Sequence, residues 1–219
     1  IEEFFKKKPE LVNKITKAAQ EAFNITNNIQ ELPKVGEPLQ QQFLTGNDAV
    51  AKGALKAGLT FHAQYPMTPA TGILHYLAQE AVTNNNLIVI QPEDEIATIN
   101  FALGASAVGA RAMTATSGGG FALMVESLGL AGMAEIPLVI VNGQRPGPAT
   151  GLPTKNSQGD LKFVLSAAPG DFPRVVIAPG DIGECYTETK RALYIAEKYQ
   201  LPVILLVDKH LCESFQTIE

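Results

Sequence analysis

The 219-residue chain is 46% hydrophobic and 18% charged, which is ample for one large domain, or a domain with an extension, and too apolar for disorder. Its net charge of −5 argues against nucleic acid or an anionic membrane surface as the main partner. No apolar run approaches the roughly 18 residues that cross a bilayer, and no secretory pattern is visible.

The first residue is Ile1 rather than Met, so a piece of a longer chain is expected. Phe4, Phe5, Leu11, Ile15, Ala18, Ala19, Ala22 and Phe23 recur at helical spacing among lysines and glutamates. Two prolines, a glycine and little apolar periodicity follow. Residues 1–41 therefore read as a helical extension with a linker, and 42–219 as the main domain.

From about residue 43 the pattern becomes regular. Short apolar runs occur at 58–64, 87–91, 111–115, 137–142, 174–178 and 202–207, separated by stretches long enough for helices. Continuous apolar strands alternating with helices predict a mainly parallel sheet of about six strands, covered on both faces. In such sheets ligands gather beyond the carboxyl ends of the strands, so the loops after each run hold the candidate site.

The loop YPMTPAT follows the first run. Pro69 suits a first helical position and Thr68 an N-cap, with Ile73, Leu74, Leu77 and Ala81 forming one buried stripe. A second reading is that Pro66 and Pro69 hold the Thr68 hydroxyl toward a ligand. A threonine can do both, capping with a lone pair and donating its proton outward.

After the second run come Glu93, Asp94 and Glu95. Acids at a helix start complement its dipole, which accounts for Glu93 and Asp94. Glu95, one turn in and followed by Gly104, Ala105, Ala107 and Gly109, is a candidate buried functional acid. The small residues admit another chain or a flat ligand.

TSGGGF follows the third run. It is neither GxGxxG nor a P-loop, so close packing against a partner or a cofactor ring is favoured over a mononucleotide site. After the fourth run, Arg145 opens a loop holding Pro146, Pro148 and Pro153. Its fork suits a carboxylate, although alone it would read as a surface arginine. His62, His75 and His210 have no metal-site spacing, and GxSxG is absent. Cys185 and Cys212 lie far apart without a CxxC pair and read as buried thiols in a reducing, cytoplasmic setting; two thiolates cannot hold a [4Fe–4S] cluster.

YPMTP, then EDEIATINFALGASAVGARAMTATSGGGF, then EIPLVIVNGQRPGPATGLPT together resemble the α subunit of 2-oxoacid:ferredoxin oxidoreductases, nearest the 2-oxoglutarate branch, over roughly residues 43–215. Residues 1–41 resemble the connector found where a γ region is fused ahead of the α region. The resemblance implies a thiamine-diphosphate-binding fold, specifically the pyrimidine domain, in an oligomeric enzyme that decarboxylates a 2-oxoacid oxidatively. It also implies acyl transfer to coenzyme A and electrons passed to ferredoxin.

The resemblance makes Glu95 the partner of the aminopyrimidine N1′. Pro66 and Thr68 join it as cofactor-binding positions, and Thr68 and Arg145 meet the substrate. Relatives carry SGPG where this chain has Ser117-Gly118-Gly119-Gly120, and the extra glycine is expected to loosen that turn. The family's GDG…N motif, which holds the diphosphate and Mg²⁺ in the β subunit, is missing here, as are the cluster cysteines. Mg²⁺ and [4Fe–4S] are thus expected on the partner, with no metal on this chain. Alternatives are a subunit of another thiamine-diphosphate-dependent decarboxylase complex, or a non-catalytic α/β ligand-binding module.

Overall fold

The computed structural model describes residues 5, 8–26 and 41–218. The chain forms two compact units, Ile1–Gln40 and Gln41–Glu219. In the first, helix α1 (Pro9–Ile25) starts with proline at its first turn and buries none of its residues. Most of the linker expected after it falls outside the described residues.

The second unit opens with strand β1 (Gln42–Thr45) and helix α2 (Gly46–Lys56). The Thr45 hydroxyl accepts from Asp48 N while Asp48 accepts from Thr45 N, a reciprocal cap that satisfies two backbone donors. Strands and helices then alternate: β2 (Phe61–Ala63), α3 (Thr71–Ala81), β3 (Ile88–Ile90), α4 (Glu95–Ala107) and β4 (Ala112–Thr116). Helices α5 (Gly118–Leu123) and α6 (Val125–Met133) lead to β5 (Leu138–Gln144) and α7 (Leu161–Ser166). The unit closes with β6 (Val175–Ile177), α8 (Ile182–Tyr199), β7 (Pro202–Asp208), α9 (Lys209–Glu213) and β8 (Phe215–Ile218).

Six strands form one parallel sheet in the order β3-β2-β4-β5-β7-β6. Each lies within one of the six apolar runs or overlaps it closely. The reason is visible in β5. Val139 and Val141 pack with Met113, Val203, Ile73 and Leu193 under α2, α3 and α8. Leu138 and Ile140 pack with Ile204, Ile99, Phe121 and Leu128 under α4, α5 and α6. Side chains alternate across a strand, so a strand with helices on both faces must be apolar throughout. Each such fully buried side chain stabilises the fold by about 1.5–3 kcal/mol. The result is the three-layer α/β/α architecture.

Two features depart from expectation. A separate antiparallel pair joins β1 to β8, with Gln42 opposite Ile218 and Thr45 opposite Phe215; Phe43 stacks on Phe215 with ring centroids 4.9 Å apart. Neither four-residue strand has a periodicity of its own, and each is defined by a partner at the other end of the domain. Second, Thr68 does not cap α3. The helix begins at Thr71 with Ala70 as its cap residue and no side-chain cap bond. The Thr68–Pro69 peptide is cis, and Ala70 N donates to Met67 O. Met67–Ala70 thus form a tight turn ahead of the helix, with Pro69 at its third position. Of the expected stripe below it, Ile73, Leu74 and Leu77 are buried and Ala81 is half-buried.

Candidate functional site

Strands β2, β4 and β5 are neighbours at the sheet centre. From β2 the chain runs to β3 on one side, and from β4 it runs to β5 on the other. Such a divergence opens a crevice at the carboxyl ends of the strands. The loops after β2, β4 and β5 line a cleft there of about 460 Å³, bounded by Met67, Gly118, Gly119, Leu123, Arg145 and Asp160.

Glu95 stands at the first turn of α4. Its neighbour Asp94 does the capping, accepting from Ala97 N at 2.7 Å, which leaves the Glu95 carboxylate free of that task. Glu95 is 4% exposed, and its Oε1 has no hydrogen-bond partner among the described residues. Burial raises its pKa above the usual carboxyl range, the Asp94 charge adds to this, and the Arg145 charge opposes it.

Two of the glycines after β4 lie where a side chain would not fit. A side chain on Gly120 would meet Thr116 Oγ1 and would come within 2.6 Å of Glu95 Oε1. One on Gly118 would come within 2.5 Å of the Asp160 carboxylate. Both lie in the first turn of α5, and their missing side chains make room for two carboxylates.

Arg145 is 7% exposed, so it is no solvated surface arginine. Its Nη1 donates to Thr68 O at 2.8 Å and its Nη2 to Thr150 O at 2.7 Å. The fork ties the β2 and β5 loops together and keeps Nε–H and one further N–H on each terminal nitrogen. Burial lowers the Arg145 pKa while the Glu95 charge raises it. Thr68 is half-buried; its carbonyl is bound and its hydroxyl makes no hydrogen bond among the described residues. Pro66 lies in the same loop, half-buried.

The structure therefore gathers Thr68, Glu95 and Arg145 at one sheet edge. It joins Thr68 to Arg145 through a backbone carbonyl and Glu95 to Arg145 through their charges.

Several polar side chains nearby escaped the sequence reading. Asp160 accepts from Asn142 Nδ2 at 3.1 Å, and its own N–H donates to Gln144 Oε1 at 3.0 Å. Gln64, Thr116, Asn142 and Gln144 are all buried. A signal existed, because each is a polar residue at the carboxyl end of an apolar strand run. Asn47, buried on α2, carried no such signal.

Residues 52–219 match a protein family described as pyruvate flavodoxin/ferredoxin oxidoreductase, thiamine diphosphate-binding. The chain is 43% identical over 212 residues to 2-oxoacid:ferredoxin oxidoreductase 1, subunit alpha, of Sulfurisphaera tokodaii, covering 92% of this chain and 34% of that protein. It is 46% identical over 171 residues to the 2-oxoglutarate synthase subunit KorA of Methanocaldococcus jannaschii, covering 78% and 46%. Among solved structures, a 2-oxoglutarate:ferredoxin oxidoreductase from Magnetococcus marinus, with 2-oxoglutarate, coenzyme A and succinyl-CoA bound, superposes with a TM-score of 0.82 at 42% identity. That match covers 99% of this chain and 39% of that one. The chain thus spans about a third of the length of the Sulfurisphaera relative.

Proposed function

The chain belongs to the thiamine-diphosphate-binding family of pyruvate flavodoxin/ferredoxin oxidoreductases, and on that footing we propose that it supplies the aminopyrimidine half of a thiamine-diphosphate site in a 2-oxoacid:ferredoxin oxidoreductase. The observation that carries this reading is the buried, unpartnered Oε1 of Glu95 beside the Gly120 backbone. An acid that costs this much to bury without a partner fits a ligand nitrogen that completes its hydrogen bonding. Its raised pKa favours holding a proton at that oxygen. Glu95 would therefore hold the cofactor ring at N1′ by a shared proton, with Pro66 and Thr68 beside it on the β2 loop. When bound, thiamine diphosphate supplies the electron sink for cleaving the bond to the 2-oxoacid's carboxylate.

Two more of this chain's side chains have roles at the site. Arg145 is pinned by two carbonyls and turns its unused N–H groups to the substrate carboxylate. The free Thr68 hydroxyl donates to a substrate oxygen as its charge develops. Exclusion of water falls to the partner. Phe101 and Val108, on α4 and just past its end, are exposed, and they line a shallow apolar cleft of about 550 Å³ that runs along Gly104 and Ala105. An apolar face of that kind marks an interface.

We assign that face to a β subunit carrying the diphosphate site, Mg²⁺ and [4Fe–4S], through which ferredoxin and coenzyme A act. The KorA relative and the Magnetococcus neighbour support 2-oxoglutarate as the substrate. No helix among the described residues is long and apolar enough to cross a membrane, and the free buried thiols of Cys185 and Cys212 support a cytoplasmic setting.

The test is Glu95→Gln in the full-length protein reconstituted with its β subunit, assayed by 2-oxoacid-dependent viologen reduction. Turnover should fall by roughly 10²–10⁴-fold, the usual effect of losing a positioned proton-transfer group. Activity within twofold of wild type would refute the role.

A further inference from the structure

The turn that presents Thr68 is held in an unusual way. Three consecutive carbonyls, of Thr68, Pro69 and Ala70, each accept a hydrogen bond from a side chain on a different element. Arg145 Nη1 holds Thr68 O at 2.8 Å, Asn47 Nδ2 of α2 holds Pro69 O at 2.9 Å, and Gln64 Nε2 holds Ala70 O at 2.9 Å. All three donors are buried, Asn47 at 6% exposure and Gln64 at 0%. Space for Asn47 is made by Gly72 in the first turn of α3, where a side chain would come within 2.7 Å of Asn47 Nδ2.

Behind Gln64 stands His62, also fully buried, with its Nε2 2.8 Å from Gln64 Oε1. The Gln64 amide has one orientation that serves both neighbours, nitrogen to Ala70 O and oxygen to His62. That orientation requires a proton on His62 Nε2. Burial lowers the His62 pKa to about 4, so the ring is neutral near pH 7 with that proton on Nε2.

Peptide units are planar, so fixing three successive carbonyls, together with the Ala70 N to Met67 O bond, fixes the backbone through Thr68 and with it the Cα–Cβ direction. We infer that Asn47 and Gln64, the latter oriented by His62, are positioning residues that aim the Thr68 hydroxyl into the site. This rests on the reading of Thr68 as substrate-facing.

The experiment is a double-mutant cycle on kcat/KM for 2-oxoglutarate in the full-length protein with its β subunit. Asn47→Leu keeps the branched shape and removes the donor; Gln64→Met removes the donor at the second carbonyl and serves if the first variant does not fold. Each should lower kcat/KM by roughly tenfold in the wild-type background and by less than about twofold in a Thr68→Val background, since residues acting through one another are non-additive. Ser106→Ala removes a comparable buried bond, to Pro137 O at 2.5 Å, remote from the turn, and its effect should be the same in both backgrounds.

A second readout is hydrogen exchange over residues 66–75 in the same complexes. It should speed up in the Asn47 and Gln64 variants and stay unchanged in Ser106→Ala. Additive effects of Asn47→Leu and Thr68→Val, or unchanged exchange over the turn, overturn the inference while leaving the role of Thr68 intact. A Thr68→Val enzyme with unaltered kcat/KM overturns the role of Thr68 and the inference with it.

Discussion

Gly120 offers a sharp test of how the site is built, through Gly120→Ala. The residue lies inside α5, where alanine is intrinsically favoured over glycine by about 1 kcal/mol. Helix propensity alone therefore predicts stabilisation. Packing predicts the opposite, because the added carbon would press on Thr116 Oγ1 and lie 2.6 Å from Glu95 Oε1 and 2.7 Å from Glu95 Cγ. Ordinary contacts between non-bonded carbons are about 3.5–4.0 Å. Neither neighbour can swing into solvent, since Thr116 is 0% and Glu95 4% exposed.

Overpacking of this kind costs about 1–3 kcal/mol, so the net change is a loss of up to about 2 kcal/mol. Relief of the contact requires Glu95 to move by around 1 Å, a displacement that lowers turnover on the order of 100-fold. Denaturant midpoints and 2-oxoacid-dependent viologen reduction on the reconstituted enzyme measure the two effects. A Gly120→Ala enzyme as stable as wild type, with turnover within twofold, would show that Glu95 does not depend on the space beside Gly120.

His62 predicts a pH signature. Its folded pKa of about 4 lies below the unfolded value of 6.5, so the unfolded chain binds the extra proton between those values and stability falls as pH drops from 6.5 to 4. The loss amounts to about 3 kcal/mol at 1.36 kcal/mol per unit. Unfolding at a series of pH values should show this slope in wild type and a flatter one in His62→Leu; equal slopes would contradict the burial of a neutral ring. Gly104→Ala separates folding from assembly. Nothing lies within 4 Å of the added carbon, so the chain alone should gain roughly 0.4–1 kcal/mol. Affinity for the β subunit, measured by titration calorimetry, should drop, and unchanged affinity would move the partner off the α4 face.

The six-stranded sheet was legible because every central strand is buried on both sides, which leaves a continuous apolar run that needs no tertiary information to see. The β1–β8 pair was not, because Phe43 and Phe215 acquire meaning only from each other across the length of the domain. At the site, Asp94 and Glu95 could be told apart by position, one at the cap and one a step inside the helix. Thr68 was misassigned as a cap because the local preference for proline at a helix start holds only if the chain enters the helix there. Here side chains from α2 and from the loops after β2 and β5 hold a turn instead. Arg145 was read as a free fork; its two carbonyl bonds depend on Thr68 and Thr150 being brought beside it by the fold.

Those two bonds bear on the thermodynamics of substrate capture. An arginine side chain carries about 2 kcal/mol of rotamer entropy, and a free one loses much of it at the moment it grips an anion. In this domain Arg145 is immobilised between Thr68 O and Thr150 O when the chain folds, so the ordering cost is met by the burial of the core. On the proposed role of Arg145, an incoming carboxylate would meet a guanidinium that has little freedom left to lose, so less of the energy of its charge-assisted hydrogen bonds would be spent on ordering.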